Sequence, residues 1–151
     1  MRLWRITRRA YQALDGEGAR LYGGRWNAEG VAVVYTSATL SLAALEYLVH
    51  VQIEDVPVDL VALEIEVPDR VSVQDVSPAE LPSDWNRVED HPACSALGDR
   101  WARAGDSLVL RVPSAVIPHE RNLLLNPRHP QMEGVSVVSA EPFSFDPRLP
   151  G

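Results

Sequence analysis

The sequence predicts an α+β fold: a mostly antiparallel sheet core in two layers, with a few flanking helices. Three observations carry that expectation. Strand-length apolar runs outnumber helical ones and do not alternate with them as a βαβ series would. Between Leu60 and Val67 the pattern is alternating, with Val61, Leu63, Ile65 and Val67 on one side and Glu64 and Glu66 on the other, which describes a strand with one wet face. Pro78, Pro82 and Pro92 break up the middle of the chain and leave space there for one short helix, over Ala93 to Ala104.

The elements follow in order. Leu3 to Thr7 predicts a first strand. Ala13 to Glu29 is a long polar loop with Gly16, Gly18, Gly23, Gly24 and Gly30 in or beside it. Such loops in compact domains are functional or disordered, and this one keeps Tyr22, Arg25 and Trp26, which a disordered linker rarely does. The β-branched run Val31 to Thr36 predicts a buried strand. Capping side chains at Thr36, Ser37 and Thr39 then open a helix over Leu40 to Gln52, whose Leu42, Leu45, Leu48, Val49 and Ile53 recur at helical steps and predict a face packed on the sheet. Further strands are expected at Val71 to Val76, Ser107 to Val112 (stopped by Pro113), Asn122 to Asn126 and Val135 to Val138, with a last edge strand at Pro142 to Phe145. No linker divides the chain, so residues 1–151 are expected to form one domain.

Composition bounds the function. The chain has 151 residues, 46% hydrophobic and 23% charged, which excludes general disorder. A single cysteine, Cys94, excludes a disulfide scaffold and a Cys-rich zinc site, and fits a reducing cytoplasm. The formal charge is -7, and all 14 basic residues are arginine. This argues against direct nucleic-acid binding and against an anionic membrane surface. An anionic ligand would have to be held by a few local arginines and backbone N–H groups. No signal core and no apolar run of the ~20 residues that span a bilayer is present, so a soluble, cytoplasmic protein is expected.

The common catalytic signatures are missing: there is no Walker A loop, His-Glu-x-x-His, or Gly-x-Ser-x-Gly elbow. The four histidines are scattered, so no metal site is expected. Glu46 falls at the margin of the helix face, where a carboxylate is either a boundary residue or a buried acid with a task. Its neighbours Ala43 and Ala44 leave space for a ligand. Arg25 lies between Gly23-Gly24 and Trp26-Asn27, a setting suited to phosphate or carboxylate recognition, or else to stacking on Trp26. Tyr35 ends its strand, by default as a core-edge aromatic with a wet hydroxyl. Ser114 follows Pro113 and by itself reads as a turn residue, while Trp4, Trp85 and Trp101 read as packing.

Taken together these residues resemble one family. Gly16-x-Gly18-Ala19, Gly23-Gly24-Arg25-Trp26-Asn27, Val34-Tyr35-Thr36 and Leu42-Ala43-x-Leu45-Glu46 are similar to the motifs of the RES domain family. So are Val112-Pro113-Ser114-Ala115-Val116, Glu120-x-Asn122 and Leu125-Asn126-Pro127-x-His129-Pro130. The family's namesake Arg, Glu and Ser fall on Arg25, Glu46 and Ser114, and the resemblance runs from about Leu3 to Arg148.

The resemblance implies an ADP-ribosyltransferase-like fold and the toxin of a type II toxin–antitoxin pair. Such a toxin depletes NAD+ by cleaving its nicotinamide–ribose bond with water or phosphate, NAD+ being substrate and no further cofactor needed. It implies an Xre-type DNA-binding antitoxin that blocks the active site, and a homodimer within a larger complex. Arg25, Tyr35, Glu46 and Ser114 would be catalytic, with Arg25 on the diphosphate and Tyr35 stacked on nicotinamide. Arg5, Asn122 and Asn126 are secondary candidates for binding NAD+. Two other readings stay open: a protein ADP-ribosyltransferase using the same cleft, and an inactive module that only binds the antitoxin.

Overall fold

A computed structural model describes residues 1–89 and 91–149. Its strands are β1 (Arg2–Arg8), β2 (Val34–Ser37), β3 (Leu60–Glu66), β4 (Val73–Asp75), β5 (Val109–Pro113), β6 (Arg121–Leu125) and β7 (Ser136–Pro142), and its α-helices are α1 (Glu17–Tyr22), α2 (Leu40–Leu48) and α3 (Pro92–Ala104). The seven strands form a sheet in the order β4-β5-β6-β2-β1-β3-β7. Neighbours are antiparallel except β4 and β5, which run parallel.

The two layers expected from the sequence are instead one continuous sheet with a seam. β1 pairs with β3 along its full length, from Arg2↔Glu66 to Arg8↔Leu60, but touches β2 at the single pair Trp4↔Ser37. Beyond that pair β1 and β2 part, and the backbone of Tyr35 on that side has no strand partner in β1. One contiguous apolar cluster spans both halves, joining Leu3, Leu63 and Ile65 to Val34, Val109, Leu123 and Leu125. Burying each such side chain contributes about 1.5–3 kcal/mol, so the shared cluster holds the halves together where hydrogen bonds do not.

The alternation in β3 describes only part of it. Leu60 to Leu63 are buried on both faces, because α2, Phe143 and Phe145 cover the side expected to be wet. Only the far end keeps its charge, where Glu64 and Glu66 pair with Arg2. The expected strand at Pro142 to Phe145 is likewise corrected: β7 ends at Pro142, and Phe143 and Phe145 meet edge to face, with centroids 5.0 Å apart, as part of this cover.

The helices follow local chemistry. Thr39 caps α2 by accepting from Leu42 N at 3.1 Å. The helix stops at Leu48 rather than Gln52, and of its apolar positions Leu42 is buried while Leu45 and Val49 face outward. The polar stretch from Ala13 to Glu29 is not a bare loop, since α1 forms within it. Val31 to Val33 are not in a strand, although Val31 and Val33 are buried beside Trp26, Trp85, Trp101 and Cys94 in a second cluster. Among the described residues, no helix is long and apolar enough to cross a membrane.

Candidate active site

The glycine-rich segment closes into a tight turn. Gly24 N–H donates to Asn27 O at 3.0 Å and Asn27 N–H returns to Gly24 O. The buried Asn27 amide donates inward, to Ala19 O at 2.9 Å, Val31 O at 3.0 Å and Ala28 O at 3.1 Å, and so ties the turn to α1 and to the entry of β2. Tyr35, which extends from β2 to the turn, donates its hydroxyl to Asn27 Oδ1 at 2.6 Å and accepts from Trp26 N–H at 3.0 Å. The wet hydroxyl expected from the sequence is therefore buried and fully bonded. Burial is the main cause that pushes this phenol well above its ordinary range, so it stays protonated.

Two glycines packed at this turn are required by contact. A Cβ on Gly24 would lie 2.7 Å from Tyr35 Oη, and one on Gly98 of α3 would lie 1.7 Å from Trp26 O. The turn is clamped between β2 and α3, and Asp99 adds a bond by accepting from Ala28 N–H at 2.9 Å.

Arg25 projects from this turn. Its Nη1 donates to Trp85 O at 3.0 Å and its Nη2 to Arg87 O at 2.7 Å. The alternative of stacking on Trp26 gives way to this backbone clamp, and Trp26 packs on Trp85 instead, with centroids 6.5 Å apart. Cys94 Sγ sits below, 3.5 Å from Trp85 O, and burial pushes its thiol up.

Glu46 projects from α2. Its Oε1 accepts from Ser114 Oγ at 2.6 Å and from Asn122 Nδ2 at 2.8 Å. Ser114, completely buried after β5, also accepts from the N–H groups of Val116 and Ile117, which fixes its hydroxyl toward the carboxylate. Asn122 on β6 is oriented in turn by Ser37 Oγ, which donates to its Oδ1 at 2.7 Å. Among the described residues, Glu46 Oε2 takes no hydrogen bond.

These groups meet around one open cavity of about 1420 Å3, on whose wall lie Arg5, Arg25, Tyr35, Glu46 and Asn122. Ser114 stands behind Glu46 rather than on the wall. Asn126 is set apart: buried at the end of β6, it donates to Ala102 O at 3.0 Å and accepts from Arg128 N–H, joining β6 to α3. Two contributors escape sequence reasoning. Asn27 stands within a motif that gives it no task, and Ser37 reads in the sequence only as a capping residue. The signal for Ser37 is its place at the end of β2, opposite Asn122. Among the described residues, no group of three or more His, Cys, Asp or Glu is placed to hold a metal.

A mixed α+β chain with a mostly antiparallel seven-stranded sheet and a carboxylate–arginine cleft defines the class, and comparison with known proteins supplies the family. Residues 2–146 match the RES domain, and the chain belongs to that family. It is 41% identical over 153 residues to the protein named Toxin Res of Yersinia enterocolitica, covering 99% of each chain. It is 39% identical over 152 residues to the Prs ADP-ribosylating toxin of a Sphingobium species, covering 97% of this chain and 94% of that one. In fold it is similar to a chain of the M. tuberculosis MbcT–MbcA toxin–antitoxin complex, with a TM-score of 0.79 at 20% identity over 95% of this chain and 84% of the other.

Proposed function

We propose that the chain depletes NAD+ by cleaving the nicotinamide–ribose bond, as the toxin of a toxin–antitoxin pair. The observation that carries the reading is Glu46: Ser114 and Asn122 hold one carboxylate oxygen while the other, unbonded, belongs to a side chain on the cavity wall. Breaking the bond between ribose C1″ and the pyridinium nitrogen sends the electron pair onto nitrogen, and nicotinamide leaves neutral. No general acid is required. The demand is for negative charge beside the ribosyl cation, and a fixed carboxylate supplies it without reorganising. Water or phosphate then adds to C1″; water loses a proton in doing so.

The remaining residues take supporting tasks. Tyr35 shapes the wall with its ring, its hydroxyl being committed to the turn. Arg25 has two N–H groups on the carbonyls of Trp85 and Arg87 and presents its other donors to substrate. Asn122 and Ser114 orient Glu46. Within this reading the chain works as one domain in the cytoplasm, as a homodimer bound by an Xre-type antitoxin that covers the cleft. The M. tuberculosis structure of similar fold, described as a toxin–antitoxin complex, supports a partner of that kind.

A second reading, transfer of ADP-ribose to a protein, is favoured by the name of the Sphingobium relative. Nicotinamide release from NAD+ by the purified chain, with and without phosphate, tests both. Release in buffer alone supports hydrolysis, and release that requires phosphate with formation of ADP-ribose-1″-phosphate supports phosphorolysis. Release only on adding lysate, with label passing to a protein, supports transfer. No release under any of the three conditions refutes an NAD+-cleaving function.

A further inference from the structure

The addition of water to C1″ releases a proton, and the residues around Glu46 are not free to take it. Glu46 holds its charge for the ribosyl cation, the Tyr35 hydroxyl is sealed in the turn, and Ser114 and Asn122 both donate to Glu46. Arginine, amide and phenol side chains do not take up a proton at neutral pH.

The helix that carries Glu46 turns one stripe to the cavity. Ala43, Glu46, Tyr47 and His50, with Val49 beside them, lie on the wall at the 3- and 4-residue steps of a single helix face. α2 ends at Leu48, yet Val49 keeps helical dihedral angles (φ -68°, ψ -13°) and His50 N–H donates to Tyr47 O at 3.2 Å. The last turn therefore tightens without swinging away. His50 follows Glu46 by one turn on the same face, where side chains four residues apart are neighbours. Its imidazole is exposed and makes no hydrogen bond among the described residues. It also borders a second hollow of about 380 Å3, shared with Gln52 and Asp55, which gives a proton a way out to solvent.

The other proton acceptors on the wall are placed differently. His91 precedes α3 and has a partner already. Asp15, Glu17 and Glu29 belong to the glycine-rich segment, where Glu17 is paired with Arg20 and Asp15 accepts from Glu17 N–H. Imidazole is also the side chain whose proton uptake ordinarily falls near neutral pH.

We propose that His50 is the general base of the water reaction and so decides which acceptor the cleft uses. The proposal rests on the NAD+ reading and adds to it the fate of the proton. As the water oxygen bonds to C1″, one of its O–H bonds breaks and the proton passes to the unprotonated imidazole nitrogen, which then releases it to solvent. The phosphate dianion brings an oxygen that already lacks a proton, bonds to C1″ through it and needs no base. Loss of the imidazole turns the cleft from water toward phosphate.

The test follows both products in one vessel. Wild type, His50→Gln and His50→Asn are incubated with NAD+ at a single fixed phosphate concentration, and ADP-ribose and ADP-ribose-1″-phosphate are separated and quantified. The ratio of ADP-ribose to ADP-ribose-1″-phosphate should fall by roughly a hundredfold in both variants, the lower end of what a general base contributes. Because the ratio is read within each reaction, a partial loss of folded protein does not disturb it. Imidazole added to His50→Ala should restore ADP-ribose formation in proportion to its concentration. An unchanged ratio in the variants, or imidazole without effect, overturns the assignment. A wild type that forms ADP-ribose-1″-phosphate but no ADP-ribose overturns it too, while leaving the NAD+ reading standing. A wild type that releases no nicotinamide with water or with phosphate refutes both.

Discussion

The two ends of the cleft are built on opposite principles. At the turn from Gly24 to Asn27, polar groups are paired with one another: Tyr35 Oη is bonded on both sides, Asn27 donates inward, and Arg25 grips two carbonyls. At Glu46 a similar density of bonds, from Ser37 through Asn122 and from Ser114, converges on a single oxygen and leaves its partner oxygen unbonded. The first arrangement fixes a shape, whereas the second fixes a charge and directs part of it at the cavity. Substitutions at the turn should therefore appear in stability, and substitutions around Glu46 in rate.

The largest effect is expected at the charge itself. Glu46→Ala should cost about 3 kcal/mol or more of barrier, a loss of at least about a hundredfold in NAD+ cleavage, with a smaller loss of stability because Ser114 Oγ and Asn122 Nδ2 lose their acceptor. A variant that cleaves NAD+ at the wild-type rate would break the contrast at its stronger end. Next comes the clamp on the turn. Gly98→Ala places a methyl 1.7 Å from Trp26 O, which is backbone and cannot swing away, so α3 must move off the turn. Overpacking of this kind costs roughly 1–3 kcal/mol and here belongs at the upper end. It should show as a lowered denaturation midpoint with an unchanged slope.

Tyr35→Phe should destabilise by about 1–3 kcal/mol, because Trp26 N–H and Asn27 Oδ1 lose their shared partner. The same residue predicts a pH dependence. The folded state raises this phenol above its ordinary 10.0, so it holds the proton where the unfolded chain has lost it. Its contribution is fully present below about pH 10 and falls as the pH climbs higher, by at most about 1.4 kcal/mol per unit. Tyr47 and Cys94 are shifted upward as well and add to this alkaline limb. Denaturation midpoints measured between about pH 8 and 11, a window that brackets the ordinary phenol value, should fall less steeply in Tyr35→Phe than in the wild type. Equal slopes would mean that the hydroxyl is not sealed.

The elements whose pattern is local were legible in the sequence. β1, β3 and α3 begin and end within about two residues of expectation, since strand alternation, the Pro92 start and the Gly105 end are written in neighbouring residues. What failed depended on distant partners. Val31 to Val33 have strand chemistry but no ladder because pairing with β6 ends at Val34↔Leu125, and Phe143 and Phe145 have it too but serve as cover for β3. In the site, Arg25, Tyr35 and Glu46 stand out through motif resemblance, and they do share a wall. Their bonding was not foreseeable: the carbonyl of Trp85 that holds Arg25 comes from 60 residues away, and Asn122 reaches Glu46 across 76. Asn122 and Asn126 look alike in the sequence, each beside a run of leucines. Their opposite fates are set by the end of β6 each occupies, one facing the cavity and the other α3.

That divergence allows the finest test of the contrast between shape and charge. Asn122→Asp keeps size and outline but replaces the donor to Glu46 Oε1 with an acceptor that can ionise. Two carboxylates this close repel each other, so the new carboxylate opposes the charge that Asn122 steadies on Glu46. The kcat should fall while KM for NAD+ changes little. The matching change, Asn126→Asp, should leave kcat where it is and lower stability instead, because a carboxylate at that position has no N–H to donate to Ala102 O. Were the two substitutions to act alike on rate and on stability, Asn122 would belong with the framework of the turn, and the charge on Glu46 would have to be fixed by Ser114 alone.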